Sequence, residues 1–150
     1  MAFSLGAVSN YAAIPSYGDL LAMAASLNPK VASLVSAGTT ETLAGNQIAA
    51  GIFVRSGSAG AVAATTDTAT NILSALGPNV SLGMTFMLIY VNLNTAAGVV
   101  TVSAGAGVTL SGTMTVPIAG LRVFIGTVTN VTTPAVTIQG AFQVGANVAA

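Results

Sequence analysis

From residue 47 onward, apolar and polar positions alternate in short runs broken by Gly, Asn, Ser and Pro. That rhythm predicts short β-strands joined by tight turns. Residues 47–55 (QIAAGIFVR) are the expected first strand, followed by a turn over residues 56–60. Thr66 and Asp67 then cap an expected helix over residues 68–76, with Ala69, Ile72, Leu73 and Leu76 on one side and Gly77-Pro78 at its end. Residues 84–92 (MTFMLIYVN) are the strongest strand, and both of its faces are apolar. A strand of that kind is expected to be covered on both sides, by an opposite sheet and by a helix or a neighbouring subunit. Further strands are expected over residues 99–103, 108–110, 113–116, 121–129 and 135–141, separated by Gly-, Asn- and Pro-rich turns. Their outward positions are expected to carry Thr, Ser, Gln and Asn.

Residues 1–45 lack this strand rhythm. Leu20, Leu21, Met23, Ala24 and Leu27 form an apolar stripe at helical spacing. Ser16 suits the N-cap of that helix, Asp19 lies in its first turn, and Asn28-Pro29 ends it. A second short helix is expected over residues 29–35. The chain is therefore divided into an N-terminal arm (1–45) and a β-sandwich domain (46–150). The fold class is mainly β: a small, jelly-roll-like β-sandwich with one short helix, preceded by an extended arm with a short helix. Tyr17, Leu20, Leu21, Met23 and Leu27 are the arm's candidate contacts to other subunits.

Charge changes the picture. The 150 residues hold three Lys or Arg and three Asp or Glu, with no His, Cys or Trp. Charged residues make up 4%, where soluble domains carry about 25%. A neutral, charge-poor chain tends to associate. Three dispersed cations do not make a nucleic-acid site, which needs clustered Lys or Arg. The apolar runs are too short for a membrane-spanning helix, which takes about 20 residues, and the strands are too short for a membrane barrel. The first residues show no secretory signal pattern, so synthesis in the cytoplasm is expected.

Candidate chemistry is sparse. Acid–base catalysis needs paired titratable groups, and only Asp19, Glu41 and Asp67 are acidic. No His serves the many serines as a base, and no Cys or His offers a zinc site. Gly105-Ala106-Gly107 is expected to be a tight turn, not a phosphate loop. The reading is therefore no enzyme, no cofactor and no metal. Arg55, Arg122, Asp67 and Glu41 are candidates for ion pairs, either inside one subunit or across an interface, with the strand-borne arginines also suited to packing their stems on a strand face.

The order of these pieces resembles a virion domain of tailed bacteriophages, especially small head-decoration (cement) proteins. The matching pieces are GIFVRSGS at residues 51–58, the Thr-Asp-Thr-Ala helix start at residues 66–69, the Gly-x-x-Phe strand at residues 83–92, VTVSAGAGVTLSG at residues 100–112 and VTNVT at residues 128–132. The resemblance covers about two-thirds of the chain. It implies a capsid decoration protein that trimerises and docks on the outer surface of the capsid, with itself and the major capsid protein as partners. The alternative it leaves open is a tail or fibre component that binds glycans.

Overall fold

The structure, a computed structural model, describes residues 30–94 and 97–144. In chain order the elements are β1 (Lys30–Val35), β2 (Thr40–Leu43), α1 (Gly45–Ala50), β3 (Gly51–Ser56), β4 (Val62–Thr66), α2 (Ala69–Leu76), β5 (Thr85–Asn92), β6 (Val100–Ser103), β7 (Val108–Gly112), β8 (Thr115–Val116), β9 (Gly120–Asn130) and β10 (Ala135–Val144). They form a six-stranded sheet, ordered β1-β3-β5-β9-β10-β7, and a four-stranded sheet, ordered β2-β4-β6-β8. The mainly β, two-sheet architecture agrees with the sequence.

The winding is more regular than a jelly roll. From β1 to β6 the chain alternates between the large and the small sheet. Each pass lays a strand parallel to the one before: β1 on β3 on β5, and β2 on β4 on β6. The first six strands are thus three stacked coils, as in a short solenoid. The pattern then breaks. β9 runs antiparallel to β5, β10 antiparallel to β9, and β8 antiparallel to β6.

Three expectations about the early chain are corrected. Residues 29–35 do not form a helix: Lys30–Val35 is an edge strand, in register with Gly51–Ser56. The spacing of Val31, Leu34 and Val35 also fits a helix, and only the ladder to β3 settles the choice. Residues 47–55 are not one strand but the end of α1 followed by β3, hinged at Gly51, whose φ of 88° closes the helix in the left-handed region. And because β1 and β2 belong to the two sheets, the body of the fold includes residues 30–43, which were assigned to the arm. By contrast, α2 begins within a residue of the expected start, but its N-cap is Thr68, whose hydroxyl accepts from the Asn71 N–H, while Thr66 accepts from the Gly105 N–H.

The core lies between the sheets. Phe53, Leu88, Tyr90, Phe124, Val128 and Ile138 come from the large sheet, and Leu43, Val62, Ala64, Val100, Val102 and Val116 from the small one. Ile48 and Ile72 enter from the two helices. Both helices occupy connections from the small to the large sheet. There the coils stack backbone on backbone. A Cβ on Gly105 would fall inside the carbonyls of Thr66 and Asp67, so only glycine fits the third coil against the second.

Candidate functional site

The charged residues come first, because so few exist. Between residues 31 and 144 the sequence has four, and every one is bound within the chain. Arg55, on β3, is fully buried. Its Nε donates to Glu41 Oε2 at 2.5 Å, its Nη2 to the Gly38 carbonyl at 2.6 Å, and its Nη1 to Asn94 Oδ1 at 3.0 Å. The Tyr90 hydroxyl donates to the other Glu41 oxygen at 2.6 Å, and its ring meets Phe53 edge-on at 4.9 Å. This network joins β2, β3 and β5, one strand from each coil. Burial, and then the Glu41 carboxylate, push the Tyr90 phenol well above its ordinary range.

Arg122, on β9, donates to the Thr115 carbonyl on β8 and to Gln143 Oε1 on β10, so it ties the small sheet to the large one. Burial pulls its pKa down. Asp67 works at the opposite end of the coils. It accepts from Asn71 Nδ2 at 2.7 Å, the Thr68 N–H at 2.8 Å and the Gly45 N–H at 3.0 Å, joining α1 to α2. The expected ion pair is thus Arg55 with Glu41, and it is internal. Arg122 and Asp67 pair with neutral groups. None of the four crosses outward to a surface, because buried backbone carbonyls and amides at the coil ends need these donors and acceptors. Neither arginine lies stem-down on a solvated strand face.

The Asp67 hydrogen bonds, led by that of Asn71, lower its carboxyl pKa. A lowered folded-state value means stability that is complete above the unfolded value of about 3.9 and is lost as pH falls through the folded one. Melting temperature is therefore expected to drop on acidification below about pH 4, and Asp67→Asn is expected to make that drop shallower. Thermal melts from neutral to acid pH check this, and an equal slope in the variant would refute it.

Among the described residues no three His, Cys, Asp or Glu side chains converge as a metal-binding group, and no helix is long and apolar enough to cross a membrane. The arm residues Tyr17, Leu20, Leu21, Met23 and Leu27 lie outside the described residues.

With these four side chains bound within the chain, the two outer faces are what remain, and they differ. On the small sheet Thr40, Ala63, Thr101 and Thr115 form one outward row, and Thr42, Thr65 and Ser103 the next. Thr65 and Ser103 share a hydrogen bond at 3.0 Å. This hydroxyl face agrees with the sequence. The outer face of the large sheet does not. Register places Val31, Ile52, Ile89, Val123 and Phe142 in one row across five strands. Ser33, Val54, Val91, Leu121 and Val144 form the next row, and Met87 and Ile125 lie side by side beyond the first. Val31 is 66% exposed, Phe142 59% and Met87 53%, while Ile52 and Ile89 are half-buried and Val123 is buried. A shallow apolar depression of about 200 Å³ opens beside Val91, Leu121 and Val144. Among the described residues no charged side chain stands on this face.

The apolar face is the candidate functional site, and it can do one thing: associate. Sequence reading finds β5, β9 and β10 as strands, and β5 as apolar on both faces, but not the surface they form. Seeing the surface requires knowing that β1, β3, β5, β9 and β10 lie side by side.

Comparison with protein-family models, with curated proteins and with solved structures finds no match to this chain.

Proposed function

We propose that this chain is a structural virion protein, a capsid decoration protein that stabilises a phage capsid by docking on its outer surface. The observation that carries this reading is the apolar, charge-free outer face of the large sheet, set opposite a face of threonines and serines. A protein of this make buries one face in an assembly and turns the other to water. Hydroxyls face water without the desolvation cost that charges bring to a crowded surface. The function is thermodynamic: each docked copy binds the mature shell alone and so favours that state by mass action. The order of sequence motifs supplies the phage context, with other copies of the chain and the major capsid protein as partners. Tyr17, Leu20, Leu21, Met23 and Leu27 are proposed to add contacts to neighbouring subunits.

The tail or fibre reading has less support. Tyr90, one of three tyrosines, is fully buried and offers no platform for a sugar ring.

The test is made on particles. Virions assembled with the gene are expected to contain the chain in many copies, and virions lacking it to release DNA at a lower temperature, followed with a DNA-binding dye. Absence of the chain from purified virions, or unchanged heat resistance without it, would overturn the proposal.

A further inference from the structure

We infer that the outer face of the large sheet docks on the same face of a second copy of this chain. The inference deepens the assembly reading, on which it rests for its purpose but not for its test. Two observations carry it.

The first is chemistry. The row from Val31 to Phe142 is apolar from end to end, and the face carries no ion. An ordinary protein surface would set charges against it, since about a quarter of the residues in most soluble domains are charged. Those charges would lose water and find no partner. The one surface certain to match is another copy of this one, because a two-fold contact sets a patch against itself.

The second is area. Five strands at about 4.8 Å spacing, crossed by the eight residues of β5, give a footprint of about 500 Å² per copy. Two copies bury about 1,000 Å², near the lower limit of a specific interface.

The experiment is sedimentation equilibrium on the full chain, with variants that place a charge on the face. The parent is expected to sediment at twice its 14.6 kDa mass at micromolar concentration. Met87→Lys and Ile125→Lys are expected to weaken association by at least tenfold while keeping the parent's far-ultraviolet circular dichroism. Thr101→Lys, on the hydroxyl face, is expected to leave the mass unchanged. A monomeric parent would overturn the inference, whether the face is then covered by residues 1–29 of its own chain or kept for a capsid subunit. So would a trimer indifferent to Met87→Lys and Ile125→Lys, or a Thr101→Lys variant that dissociates equally. In each of those cases particle binding could persist, and the assembly reading would stand on its own test.

Discussion

Replacing Glu41 with alanine is expected to cost about 3–5 kcal/mol of folding stability, the usual penalty for breaking a buried ion pair from one side. Domains of this size have only about 5–15 kcal/mol in total. The Arg55 side chain is 0% exposed and that of Glu41 7%, so truncation strands a guanidinium where water cannot reach it. It also leaves the Tyr90 hydroxyl without its acceptor. The remaining partners of Arg55, Asn94 Oδ1 and the Gly38 carbonyl, are neutral and do not replace the lost charge. Glu41→Gln is expected to lose less, since its amide oxygen still accepts from one donor. Replacing both members, Glu41→Leu with Arg55→Met, is expected to be milder than Glu41→Ala alone, because no unpaired charge remains. Urea denaturation of the three variants beside the parent measures this. A Glu41→Ala midpoint equal to the parent's would show that the pair is solvated and that the coils do not depend on it.

The second large effect is at Asn92, the last residue of β5 and fully buried. Its Nδ2 donates to the carbonyls of Gly98 at 2.9 Å, Pro117 at 3.0 Å and Val116 at 3.3 Å, and its Oδ1 accepts from the Asn94 N–H at 3.0 Å. One amide thus serves the turn after β5 and the end of β8. Each buried polar group left unpaired costs about 1–3 kcal/mol, so Asn92→Ala is expected to lose about 3 kcal/mol or more. Asn92→Asp keeps the shape but points an oxygen at three carbonyls. It is expected to be worse than alanine at neutral pH and to recover partly in acid, where a protonated carboxyl can donate again. An aspartate variant as stable as the parent would mean that water, not Asn92, satisfies these carbonyls.

The same residues show how far a sequence reading reaches. The runs at β5, β9 and β10 were legible because Val, Ile and Phe cluster between Gly and Asn turns, and that composition suits a pleated surface whatever the topology. The α2 start was legible to within a residue because Thr and Asp cluster just ahead of its apolar positions, although Thr68, not Thr66 or Asp67, is the N-cap. β4 was missed because its alternation, Val62-Ala63-Ala64-Thr65-Thr66, uses small residues that look like a loop. Signals for α1 were present, in Gln47, whose side chain accepts from the Ala44 N–H at 2.8 Å, and in Gly51. Both stood inside what reads as a strand. Arg55 looked like a surface residue of an apolar strand. Its partners lie 14 residues earlier and 39 later, in other coils, and no local pattern announces such distances.

What the sequence determined by itself was composition and local preference: a β-rich chain with almost no charge. Those properties belong to residue types and short spacings, so they survive any arrangement of strands. Tertiary structure alone decided where the few charges went and where the apolar surplus emerged. Stacking the coils drew Arg55, Asp67 and Arg122 to backbone groups that needed partners, and Glu41 to Arg55 and Tyr90. Strand register then set Val31, Ile52, Ile89, Val123 and Phe142, spread over more than a hundred residues of chain, into one uncharged row. A shift of one residue in any strand would turn that strand's contribution inward. The surface that gives this protein its proposed role is a property of register, which follows from long-range pairing and not from any segment read alone.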